Sequence, residues 1–106
     1  MKKKLININY CIFVLIILFF QSIKADNLLE QGKKIFLENG NCATCHTLQD
    51  ASSNGNIGPN LNEIKPDIAR VISAVTNGIG VMPAYEGQLS PEEIKAVANY
   101  VAKSTN

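Results

Sequence analysis

Tryptophan is absent from this 106-residue chain, histidine occurs once, methionine twice and cysteine three times. A single histidine excludes an iron or zinc centre held by two imidazoles of one chain. With no tryptophan and only 7% aromatic residues, a chain of this length builds a thin core. Neither sign of charge dominates: 10 Lys+Arg against 9 Asp+Glu leave +1. That balance lacks the clustered basic surface of a nucleic-acid binder. No uninterrupted apolar run reaches the roughly 20 residues of a membrane span. The length allows one small domain. A hydrophobic content of 46% is too high for a disordered tail.

What is present is unevenly distributed. Lys2, Lys3 and Lys4 open the chain, Tyr10 to Phe20 is an eleven-residue apolar run, and Ile23-Lys24-Ala25 offers a small residue before a cut. Basic start, short apolar centre and small-residue exit make residues 1–25 a secretory signal, with cleavage expected after Ala25. Adding Leu5 to Asn9 lengthens the run to sixteen, which keeps a retained membrane anchor open as the alternative. Cys11 sits mid-run and reads as a small hydrophobe. Residues 26–106 then form the working domain, 81 residues with six Lys or Arg against nine acids, a net of −3. Such a chain is expected in the periplasm, soluble, and held neither to anionic membrane nor to nucleic acid.

The domain reads as all-α, with about four short helices and no convincing strand. The first is expected at Leu28 to Asn39, capped by Asn27 with Glu30 and stopped at Gly40. Its apolar face is Leu28, Ile35 and Phe36, and Gly32 leaves a notch for another helix. Cys42 to Leu48 is a second, short helical stretch. Gln49 to Lys65 reads as loop. The third helix is expected to start at Pro66, to place Ile68, Val71, Ile72 and Val75 on one face, and to end at Asn77-Gly78. A second loop carries Met82-Pro83. Ser90, Pro91 and Glu93 then make the strongest helix start in the chain. Ile94, Val97, Ala98 and Val101 form its buried stripe, with Tyr100 beside it. Loops this long in so small a chain imply that they wrap something.

Cys42-Ala43-Thr44-Cys45-His46 identifies what they wrap. Two thiols three residues apart followed directly by histidine form the attachment motif of c-type haem. Each thiol can add to one porphyrin vinyl group, and the adjacent His46 is then held beneath the iron as fifth ligand. A structural zinc site needs four ligands, and two Cys with one His cannot close it. A redox Cys-x-x-Cys needs a βαβ setting, which is missing. A plain disulfide leaves His46 unexplained. For the sixth iron position Met82 is the only methionine beyond the signal, so His46 and Met82 are the expected axial pair. A carbonyl in Gly58-Pro59-Asn60 is placed to accept the second N–H of His46. Tyr85 either bonds near a haem propionate or packs.

The chain from Gly32 onward resembles a class I cytochrome c. The likeness rests on Gly32 and Phe36, the haem motif, Gly58-Pro59-Asn60-Leu61, Met82-Pro83 and Val97-Ala98-Asn99-Tyr100-Val101, in that order. It implies a small fold around one covalent haem, with terminal helices crossing at Gly32, Phe36 and Tyr100. It also implies that the Pro59 carbonyl accepts from His46. More narrowly, Cys42 to Tyr85 is similar to the haem subunits of bacterial periplasmic sulfite dehydrogenases, through His46-Thr47-Leu48-Gln49-Asp50-Ala51, Lys65-Pro66-Asp67 and Gly78-Ile79-Gly80-Val81-Met82-Pro83. A further likeness, around Met82-Pro83-Ala84, is to soluble photosynthetic cytochromes. The implied function is an exported monohaem electron carrier of a respiratory chain, not an enzyme. Its partners would be a dehydrogenase, a membrane cytochrome complex or a terminal oxidase. The alternative is a haem subunit taking electrons from a molybdenum subunit.

Overall fold

The computed structural model describes residues 2–106, with side-chain environments for 7–19 and 26–106. Helix α1 runs unbroken over Lys2–Lys34 and passes into a π-helical turn, Ile35–Asn39. The start expected at Asn27 is therefore corrected. No glycine or proline occurs before Gly32, so nothing halts a helix upstream. The upstream turns already supply the partners that an N-cap would. Residues 7–19 are exposed throughout, and among the described residues no helix is long and apolar enough to cross a membrane. Gly40 does end the first element, by donating its N–H to the Ile35 carbonyl at 2.7 Å. Its φ of −89° shows a wide terminal turn rather than a left-handed cap.

Cys42–Thr44 is a single 3-10 turn, introduced by Asn41 at φ +51°. The helix expected to continue to Leu48 gives way to a two-residue strand, β1 (Thr47–Leu48). It pairs antiparallel with β2 (Ser53–Asn54), Thr47 opposite Asn54 and Leu48 opposite Ser53. The reading without strands is thus corrected. Two-residue strands are too short to show alternation. The stretch taken as loop also holds a 3-10 turn at Gln49–Ala51 and a one-turn helix α2 (Leu61–Ile64), N-capped by the Asn60 side chain. Helix α3 spans Ile68–Asn77, not from Pro66, because the Asp67 carboxylate caps it by accepting from the Arg70 N–H at 2.8 Å. Gly78 closes α3 at φ +74°. Helix α4 (Pro91–Thr105) begins with the full capping box: Ser90 N–H donates to Glu93 Oε1 at 3.0 Å, and Glu93 N–H to Ser90 Oγ at 3.1 Å.

Helix α4 packs against both α1 and α3 and is the central element of the core. Ile94, Val97, Ala98, Tyr100 and Val101 are all buried, as are Val71 and Val75 of α3. α1 meets α4 at Gly32. A Cβ there would overlap the Ala96 carbonyl oxygen and lie 2.6 Å from Tyr100 Cβ, so only glycine permits the approach. One turn on, Phe36 is 1% exposed and meets the Tyr100 ring edge-on. The Tyr100 hydroxyl donates to Asp50 Oδ2 at 2.6 Å, and Lys33 Nζ sits 3.5 Å from the same oxygen. One carboxylate thereby joins both terminal helices to the loop after His46. That hydrogen bond holds the Asp50 carboxyl below its usual range, and burial pushes the Tyr100 phenol well above its own.

Candidate haem site

The 3-10 turn sets the motif. Cys45 N–H and His46 N–H both donate to the Cys42 carbonyl, at 3.1 and 2.9 Å. Cys42 and Cys45 are both half-buried, and no disulfide joins them. His46 is half-buried, and its Nδ1 lies 2.8 Å from the Pro59 carbonyl oxygen. A carbonyl only accepts, so Nδ1 carries the proton and Nε2 presents its lone pair.

Two glycines shape the seat of that ring. A Cβ on Gly58 would come within 2.6 Å of His46 Cε1, and Gly58 N–H donates to the Cys45 carbonyl at 2.8 Å. A Cβ on Gly55 would meet the Cys45 carbonyl carbon at 2.6 Å and the His46 nitrogen at 2.7 Å. Thr47 Oγ1 donates to the Gly55 carbonyl, and Ser53 Oγ to the His46 carbonyl. Sequence reasoning missed Gly55 and Ser53. In a loop rich in Ser, Asn and Gly both look like flexible filler, and only a tertiary contact separates them from it.

Met82 lies in a tight turn. Ile79 N–H donates to the Met82 carbonyl at 3.1 Å and Met82 N–H returns to the Ile79 carbonyl at 2.9 Å. Gly80 supplies φ +57° at its tip. Cys42, Ala43, Met82 and Tyr85 are all half-buried along the edge of one core. Tyr85 has a backbone partner that the sequence did not suggest. Its hydroxyl donates to the Gly40 carbonyl at 2.6 Å. Burial raises its phenol pKa.

The residues fit a haem. Outside α1 the exposed large hydrophobics are Leu37, Ile57, Ile64, Ile68, Ile79 and Val81, and five of these six lie between His46 and Met82. Exposed apolar side chains concentrated between an imidazole with a free nitrogen and a methionine call for an apolar, metal-bearing cover. Among the described residues no cluster of three His, Cys, Asp or Glu offers a metal site of another kind.

A family model described as cytochrome c oxidase, cbb3-type, subunit III, matches residues 27–101. This chain belongs to that family of c-type cytochromes. The cytochrome is 39% identical over 74 residues to cytochrome c6 of Leptolyngbya boryana, a match covering 66% of this chain and 85% of the relative. It is 47% identical over 76 residues to the cbb3-type cytochrome c oxidase subunit FixP of Bradyrhizobium sp., covering 66% of this chain. That match spans only a quarter of FixP, 25% of its length. The c-type cytochrome SorU from Sinorhizobium meliloti superimposes with a TM-score of 0.72 at 55% identity, covering 76% of this chain and 93% of SorU. The all-α cytochrome c fold, one covalent haem c on Cys42 and Cys45, and single-electron transfer follow from this membership.

Proposed function

We propose that this cytochrome is exported and passes single electrons between redox proteins, with His46 and Met82 as axial ligands. The observation that carries the reading is the 2.8 Å contact of His46 Nδ1 with the Pro59 carbonyl, which leaves Nε2 free for iron. Haem supplies a one-electron iron couple. The chain does the rest. Pro59 fixes the imidazole tautomer and raises its basicity. Gly58 lets the peptide lie flat against the ring. The neutral thioether of Met82 and the apolar side chains around it disfavour the extra positive charge of ferric iron, and so raise the potential. A sixth position held by sulfur has no vacancy for substrate, and no second histidine exists for acid–base chemistry, so the protein is not an enzyme by itself.

Residues 1–25 act as the export signal. The described part of their apolar run, Tyr10 to Phe19, is exposed on α1, as befits a segment that the core does not need. The partners are a dehydrogenase on one side and a membrane cytochrome complex or terminal oxidase on the other. A second reading is a haem subunit of a periplasmic sulfite dehydrogenase. The resemblance over Cys42 to Tyr85 favours it. An optical redox titration of the purified holoprotein tests the ligands: a single one-electron wave with the red thioether-to-ferric band is expected. Its loss in Met82→Ala, with a fall in potential and retained covalent haem, supports the pair; its survival overturns it. Copurification with a molybdenum protein decides for the second reading.

A further inference from the structure

The loop that carries Met82 is pinned at both ends to the last turn of α3. Gly78 N–H donates to the Ala74 carbonyl at 2.8 Å, and Tyr85 N–H to the Val75 carbonyl at 2.8 Å. Between them Met82 packs at the edge of the core, and the tip beside it is open. Val81 is 89% exposed, and a Cβ on Gly80 would have nothing within 4 Å. Loss of Met82 from the site would require this loop to move relative to the turn that carries Cys42. Among the described residues a single hydrogen bond ties the stretch 78–89 to the part of the chain before α2. It is the Tyr85 hydroxyl to the Gly40 carbonyl, across 45 positions.

Gly40 is not an arbitrary anchor. A Cβ placed on it would lie 3.0 Å from Cys42 Sγ, so its backbone rests against the sulfur that attaches the haem. The accepting carbonyl therefore moves with the porphyrin. We infer that Tyr85 is a positioning residue, a strap from the methionine loop to the haem-attachment turn that holds Met82 against displacement by other ligands. The inference rests on Met82 as the sixth ligand. Phenylalanine keeps the ring in its half-buried place and removes only the donor, so Tyr85→Phe isolates the bond.

The test uses the complete ferric holoprotein, native and Tyr85→Phe, titrated with imidazole while the red thioether band is followed. Displacement exchanges one neutral ligand for another, and iron stays ferric. The expected result is that Tyr85→Phe keeps the band but yields it to imidazole at about fivefold lower concentration, the equivalent of one ordinary hydrogen bond. Thermal unfolding is measured beside it. A lowered melting temperature with unchanged imidazole affinity means a purely structural bond and overturns the inference. A shifted potential with unchanged affinity places the hydroxyl on the haem itself and overturns it too. A native protein without the band fails earlier, at the Met82 ligation, and the two failures are thus distinct.

Discussion

Phe36 and Tyr100 meet edge to face, with ring centroids 6.0 Å apart and planes inclined by 63°. The pair lies one turn beyond Gly32, so notch and rings form one lock between α1 and α4. Both rings are buried, which makes this small region carry much of the apolar burial.

Gly32→Ala destabilises the fold. Alanine is better than glycine inside a helix by about 1 kcal/mol. Against this stands a Cβ that overlaps the Ala96 carbonyl and crowds Tyr100 Cβ, an overpacking cost of about 1–3 kcal/mol. The clash wins because one of its partners is backbone. Phe36→Ala is worse, at about 3–5 kcal/mol. Thermal melts of the holoproteins check the order: native, then Gly32→Ala, then Phe36→Ala.

Acid weakens the Asp50 junction. Its folded pKa lies below the ordinary 3.8, mainly through the Tyr100 hydroxyl. Its contribution is therefore complete above that value and is lost as pH falls through the lowered one. Tyr100 is shifted the opposite way, so its neutral form favours folding below pH 10 and ionisation costs stability above it. Asp50→Asn should flatten the fall in melting temperature between pH 5 and about 2. An unaltered acid limb assigns the pH dependence to other carboxylates.

Without covalent haem the domain should not hold its tertiary structure. Cys42→Ala with Cys45→Ala removes both attachment points and leaves the apolar residues from Ile57 to Val81 facing water. Circular dichroism is expected to show no cooperative thermal transition. A sharp transition in this haem-free variant removes haem from the list of core elements.

Electron exit is expected beside Val81, where the surface from Gly80 to Ala84 carries no charge. Electron self-exchange between ferric and ferrous copies, read from NMR line broadening, reports on it without any partner. Val81→Asp should slow exchange severalfold with an unchanged haem spectrum, since a charge must be desolvated at each encounter. Glu92→Gln, further out on α4, should alter mainly the salt dependence. The reverse pattern moves the contact face to α4.

Local chemistry was the legible part. Ser90, Pro91 and Glu93 announce a helix start because the capping box closes within four residues. Gly32 is legible by itself only as a notch in a helix; that Phe36 and Tyr100 cross there is what the resemblance to class I cytochromes c implies. Cys42, Cys45 and His46 were nominated by spacing, and Met82 by counting. What stayed hidden depends on distant partners. The hairpin exists because Ser53 Oγ accepts from Leu48 N–H and donates to the His46 carbonyl, two bonds that no periodicity encodes. Asn27 misled because a capping residue marks where a helix can begin, and α1 had already begun. Gly55 earns its role only once Cys45 lies against it.

The π-helical turn at Ile35–Asn39 holds one residue more than an α-helical turn would. An α-helix advances about 100° per residue, so that surplus residue sets the direction from which the chain enters the haem-attachment turn. Deleting Leu37, an exposed residue with no evident task of its own, restores ordinary winding and rotates everything after it by roughly that angle. Gly40 would leave Ile35 and turn together with Cys42, and the Tyr85 hydroxyl would lose its acceptor. The length of this segment is thus more constrained than its side chains: substitutions at Leu37 are cheap, and a one-codon gap there is not.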